Sequence, residues 1–179
     1  MQPLTIVVVV AALMVVALLY NRLVSARQRV REAWSAIDVQ LQRRASLIPN
    51  LVETVKGYAS FERDTFQRVA EARGRLGAAN GPRAAAAASA DLTGAIHTLM
   101  AVAEAYPQLK ANERFAQLQA DLADTENQIA FARNYYNGAV EIYNIRVERF
   151  PTMLIAGTFG FKPAEFFSAE AGATAVPSA

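Results

Sequence analysis

An all-helical protein, in which an N-terminal transmembrane helix leads into an up-and-down antiparallel four-helix bundle, is the fold this sequence predicts. Three observations point to it. Residues 4–20 read LTIVVVVAALMVVALLY, without a charge, a glycine or a proline. Beyond them, apolar residues recur at steps of three and four, the period of one helix face. Nowhere is there the period-two alternation, or the Asn-Gly or Asp-Gly pair between β-branched runs, that marks a hairpin.

The anchor comes first. Its apolar run, at about 1.5 Å per residue, spans about 25 Å against a hydrocarbon core of about 30 Å. Leu23 and Val24 close the difference while Arg22 reaches back to the headgroups. Tyr20 sits where an interfacial aromatic belongs. A cleaved secretory signal would carry a basic n-region and only about 7–15 apolar residues. Met1-Gln2-Pro3 has no basic side chain and the run is longer, so residues 1–21 read as an uncleaved single-pass anchor despite the small residues Val24-Ser25-Ala26. The N-terminal flank has no Lys or Arg, whereas Arg22, Arg27, Arg29 and Arg31 follow the run. The positive-inside rule then puts the bundle in the cytoplasm.

Residues 22–151 form the bundle. Leu23, Val30, Trp34, Ile37, Leu41 and Ile48 continue the anchor as a first helix over about 22–46. Pro49 is best tolerated in a first turn, and Ser46 is placed to cap it, which predicts a second helix over about 47–76. That helix turns Val52, Val55, Phe66, Val69 and Leu76 inward. Residues 77–90, GAANGPRAAAAASA, read as an exposed low-complexity connection. A third helix over about 89–105 carries Leu92, Ile96, Leu99, Met100 and Val102 until Tyr106-Pro107 stops it. Asn112 is placed to cap the fourth, over about 112–150. Its stripe of Leu118, Leu122, Thr125, Ile129, Ala132, Tyr136, Ala139, Tyr143, Arg146 and Phe150 is a bundle seam.

After Pro151 come Phe159, Phe161, Phe166 and Phe167, too many aromatics for a free tail. Gly157 and Gly160 weaken the segment as a helix. Residues 152–167 are expected to fold back as a cap on the bundle, the alternative being to dock on a bilayer or a partner. Residues 168–179, SAEAGATAVPSA, read as a disordered tail.

Composition excludes much chemistry. With no cysteine there is no disulfide, thiolate metal site or cysteine nucleophile, and a lone His97 cannot build a histidine-rich site. A di-iron bundle needs Glu-x-x-His motifs, and Gly94 stands where that Glu would be. No nucleophile elbow or phosphate-binding Gly-Lys-Ser/Thr is present. No catalytic, metal or cofactor site is assigned, and a hydrolase stays a formal alternative. At a net charge of +2, with acids and bases alternating along the helices, nucleic acid is not a partner.

Some polar residues fall on or beside the seams. Glu62 is in register with Val55, Phe66 and Val69; Arg146 lies in the last stripe, with Arg133 and Asn137 one position off it. A buried charge is costly unless paired. An internal network of Glu62, Glu126, Arg133, Asn137 and Arg146 is therefore expected, either fixing helix register or answering to a ligand.

The strings REAWSAIDVQLQRRASLIPNLVETVKGYASFE, AVAEAYPQLKANERF, ENQIAFARNYYNGAVEIYN and FPTMLIAGTFGFKPAEFF resemble the LemA family, in the family's order, from Tyr20 to Phe167. The resemblance implies a bacterial inner-membrane protein with an anchored four-helix bundle and no assigned activity. It implies the lipid bilayer and other membrane proteins as partners, a membrane metalloprotease among them. The expected role is a scaffold or adaptor for membrane proteins. Members of the family, a magnetosome-forming relative among them, are discussed as membrane-associated scaffolds; the alternative for this chain is a self-associating homo-oligomer that organises membrane. Many members carry basic residues ahead of the anchor; this chain does not, so its orientation rests on its own arginines.

Overall fold

The computed structural model describes residues 2–59 and 61–168. Helix α1, Gln2–Lys56, is unbroken over 55 residues, a length of about 80 Å. Its side chains from Pro3 to Leu18 are exposed, and its most apolar window has a mean hydropathy of 2.7 with none of it buried. That part is long and apolar enough to cross a membrane. From Tyr20 onward one face turns inward. Leu23, Ala26, Val30, Ala33, Ile37, Leu41, Arg44, Ile48, Leu51 and Val55 are all buried. The bundle thus begins at Tyr20, whose ring meets Phe159 and Phe161 edge-on, and not at residue 22.

The expected break at Pro49 does not occur. Proline has no N–H to give the carbonyl four residues back, that of Ala45. Arg73 of the next helix supplies the missing donor, its Nε reaching Ala45 O at 3.0 Å. Ser46, instead of capping a new helix, donates to Arg43 O within α1 at 2.7 Å. Burial of Ile48, Leu51 and Val55 holds the last turns in place, because packing of an apolar face outweighs local propensity.

The chain turns after Gly57, and α2 runs Arg63–Ala78 with Phe66, Val69, Ala72 and Leu76 buried. Helix α3, Pro82–Glu104, starts earlier than expected: the Ala-rich stretch is its first two turns, with Ala85, Ala86, Ala88 and Ser89 buried. Alanine is the best helix former and lets a neighbouring backbone approach closely. Gly81, at φ +86°, makes the entry turn and Pro82 takes the first helical position. A single turn, α4, Pro107–Lys110, leads to α5, Glu113–Glu148, where Asn112 Oδ1 accepts the Phe115 N–H at 3.0 Å.

Helices α1 and α5 lie antiparallel along each other, and α2 packs mainly on α3. The α1–α5 register is read from Trp34 on Tyr136 and Arg43 on Asp124. The buried stripe of α5 departs from the expected one near its end: Val140 and Val147 are inside, while Ala139 is only half-buried and Phe150 is exposed. A strict seven-residue repeat drifts by about 20° per heptad on a straight helix, and one extra step of four, from Tyr136 to Val140, restores the register. Last comes α6, Thr152–Phe159, closed by Gly160 at φ +70°. Residues 161–168 form no regular secondary structure and run back along the bundle. The expectation of disorder for 168–179 lies, beyond Ser168, outside the described residues.

If Arg73 replaces the hydrogen bond that Pro49 cannot make, Arg73→Ala should cost about 0.5–1.5 kcal/mol. The loss should nearly vanish in a Pro49→Ala background, where a new backbone N–H serves Ala45. A double-mutant cycle by chemical denaturation in detergent checks this, and equal losses in both backgrounds would contradict it.

Candidate functional site

The segment after Gly160 is the element on which the surfaces of this protein are built. Helix α6 ends because Gly160 takes the left-handed conformation. Pro163 then keeps Lys162 extended. An extended strap has no helical hydrogen bonds of its own, and four side chains of α5 supply them. Asn144 accepts the Ala164 N–H on Oδ1 at 2.8 Å and donates Nδ2 to the Ala164 carbonyl at 3.0 Å. Asn137 does the same for Phe167, at 2.9 and 3.3 Å. Beside these clamps, Tyr143 OH donates to Lys162 O at 2.9 Å and Tyr136 OH to Glu165 O at 2.7 Å.

The spacing explains why one helix can hold one strap. Tyr136-Asn137 and Tyr143-Asn144 are seven residues apart, about 10.5 Å along a helix. Ala164 and Phe167 are three apart, about 10 Å along an extended chain. The strap lies in the groove between α5 and α1. Phe161 is buried under Tyr20 with the Arg27 guanidinium 4.7 Å from its ring centre, and Phe167 is buried beside Trp34. Burial pushes the Tyr136 phenol up to about 12, with the Glu165 carboxylate adding to it; burial likewise raises Tyr143.

The expected polar residues part company. Glu62 sits just before α2, half-buried, and the turn after Gly57 resets the register, so Val55 and Phe66 belong to different helices and Glu62 is in neither seam. Among the described residues no ion pair joins it to Arg133 or Arg146. Arg146 donates Nη1 to Arg22 O at 3.3 Å. Glu126, Arg133 and Asn137 do come together. With Ser89 and Thr93 of α3 and with Phe166 and Phe167 of the strap, they line an open groove of about 750 Å³ between α3 and α5.

The cation that Glu126 meets is Arg44, a core position of α1. Its guanidinium is buried and 2.9 Å from the Glu126 carboxylate, close but not aligned as a hydrogen bond. Burial lowers its proton affinity and Glu126 opposes that. Glu126 is half exposed, so water shares the neutralisation. Of the expected tail residues, Phe161 and Phe167 are buried, Phe166 is half-buried, and Phe159 is 53% exposed.

Among the described residues no segment covers the opposite groove of the α1–α5 pair. It holds about 480 Å³ between Ala26, Arg29 and Glu32 on α1 and Tyr135, Gly138 and Ile142 on α5. Tyr135 and Ile142, which line it, and Phe131 and Ile145, which continue the same face of α5, are each more than half exposed. With Gly138 they step by four, three, four and three, a second seam on the outer face of α5.

The LemA family model matches residues 33–179. The chain belongs to the LemA family. Two magnetosome proteins MamQ of Paramagnetospirillum magneticum are each 28% identical to it, over 89% of this chain and 68% of their own length. Protein LemA of Metamycoplasma hominis is 23% identical, over 76% of this chain and 63% of its own. In this LemA-family chain, sequence reasoning passed over Arg44, Asn144 and the outer stripe of α5, and it placed Tyr136 and Tyr143 in the seam without the main-chain partners of their hydroxyls. The repeated Tyr-Asn pair was the available signal for the clamp. A second 4–3 repeat offset from the first was the signal for the stripe.

The Tyr136 phenol stays protonated in the folded chain to about pH 12, against about 10 when unfolded. Its contribution is therefore fully present below about pH 10 and lost as pH rises from there through about 12. Tyr136→Phe should lower stability at neutral pH by about 0.5–1.5 kcal/mol and flatten the alkaline loss. Thermal unfolding of the detergent-solubilised chain at several pH values tests it; parallel losses in both proteins would contradict it.

Proposed function

We propose that this chain is a single-pass scaffold that takes up helices of other membrane proteins in the outer α1–α5 groove, with its bundle on the cytoplasmic side of a bacterial inner membrane. The unequal treatment of two faces of one helix pair carries this reading. On one face Phe161 and Phe167 fill the groove. On the other, the described residues leave a groove of about 480 Å³ uncovered beside the exposed Phe131, Tyr135, Ile142 and Ile145. A contiguous apolar stripe on a surface marks an interaction site, and 4–3 spacing suits a helix laid lengthwise. Arg22, Arg27, Arg29 and Arg31 follow the apolar run, while Met1-Gln2-Pro3 ahead of it has no Lys or Arg, and this supports the orientation.

Self-association is the second reading, and one observation favours it. Glu141 and Arg146 flank the stripe five residues apart, the offset at which opposite charges meet across a parallel pair. Anchoring in one membrane would hold two copies parallel. The magnetosome relatives fit a membrane-organising role of this kind.

A photo-crosslinking residue at Ile142 in native membranes separates these. Discrete adducts with other proteins are the expected result, and an adduct at twice the chain mass would move the reading to self-association. No more protein adduct from Ile142 than from the exposed Gln117 would reject both.

A further inference from the structure

A second exposed apolar surface lies at the end of the bundle next to the anchor. From Phe150 to Phe161 the chain has no charged residue, and Arg149 and Lys162 bracket this run. Helix α6 occupies most of it. Its Ala156 is buried and Ile155 half-buried on the bundle side. Facing away are Phe150 at 71% exposure, Leu154 at 57%, Phe159 at 53% and Met153 at 48%. Four large apolar side chains left in water within ten residues would forfeit several kcal/mol, at about 1.5–3 kcal/mol for each full burial.

What covers them follows from position. The Phe159 ring is 5.0 Å from that of Tyr20, the residue at which the bare apolar stretch of α1 ends. Helix α6 packs on α1 and on α5, and α5 reaches the level of Arg22 through Arg146. The strap fixes α6 at this height, since Phe161, one residue past Gly160, is buried against Tyr20 and Arg27. Where α1 crosses from lipid to water, α6 stands beside it.

We infer that α6 and Phe150 form an interfacial foot, lying in the headgroup–acyl boundary of the phospholipid bilayer. The inference rests on the reading of α1 as a membrane anchor. Met153, Leu154, Phe150 and Phe159 enter the upper acyl region. The exposed Arg22, Arg149 and Lys162 stand at the level of the lipid phosphates, the arrangement of a helix that lies on a membrane. The foot sets the tilt of the bundle against the membrane plane: a lone spanning helix leaves the domain free to swing, and a second contact beside it does not.

The full chain has a single tryptophan, Trp34, which Trp34→Phe removes. Leu154→Trp, Val10→Trp and Ile142→Trp are then made singly in that background. Each is reconstituted in phosphatidylcholine–phosphatidylglycerol vesicles whose acyl chains are brominated near the headgroup or near the bilayer centre. The foot requires that Leu154→Trp lose emission most with shallow bromine and Val10→Trp most with deep bromine, while Ile142→Trp keeps its emission. Leu154→Trp unquenched beside a quenched Val10→Trp overturns the foot and leaves the anchor standing. If that Leu154→Trp emission is also blue-shifted, protein covers the patch, which equally overturns the foot. Val10→Trp unquenched removes the anchor, and with it the position from which the foot is argued, whatever Leu154→Trp shows. With neither quenched, both fall.

Discussion

An extended backbone laid against helices has no strand beside it to satisfy its N–H and C=O groups, and this requirement organises the half of the bundle where α1, α5 and the tail meet. Every amide left unpaired on burial costs as much as a lost hydrogen bond. Asn137 and Asn144 meet the requirement by acting as a strand edge, each offering one donor and one acceptor to one residue of the strap. The match of seven helical to three extended residues makes the arrangement repeatable along α5. Through it, Phe161 and Phe167 are held in the inner groove, and α6 is held beside Tyr20.

The same constraint divides the surface. One groove of the α1–α5 pair is used up by the strap, and the outer groove with its 4–3 stripe is the one the described residues leave uncovered. The apolar side chains of α6 are likewise not free to turn inward, because the strap runs back from them along the bundle and takes the core positions first. The far half of the molecule, where α2 and α3 complete the four-helix packing, is stabilised differently. There small residues such as Ala85, Ala86 and Ala88 sit inside, and the charged Arg44 is carried within the core by Glu126.

The apolar run of α1 and the stripe of α5 could be read from the sequence because each is one periodic signal inside one helix. The Pro49 break was misjudged because the donor that rescues Ala45 comes from Arg73, 28 residues further on, and no local rule contains it. The Ala-rich stretch was misjudged because low complexity and high helix propensity coincide in alanine, and only the packing of α3 on α2 decides between them. Glu62 was placed in a seam by counting across a turn that resets the helical phase. Asn137 was singled out for a polar network of side chains, whereas its partner is the main chain of Phe167. A side chain that recognises backbone leaves no trace in the identity of the residue it recognises.

Amide hydrogen exchange of the full chain in lipid nanodiscs, resolved by residue along the strap, tests the clamp most directly. The N–H groups of Ala164 and Phe167 bond to asparagine oxygens, so they should exchange as slowly as amides in the middle of α5. Those of Glu165 and Phe166, which have no such acceptor, should exchange fast, and Asn144→Ala should release Ala164 first. Uniformly fast exchange from Lys162 to Phe167 would mean that the strap is not held by α5, and the division of the surface that follows from it would fail with it.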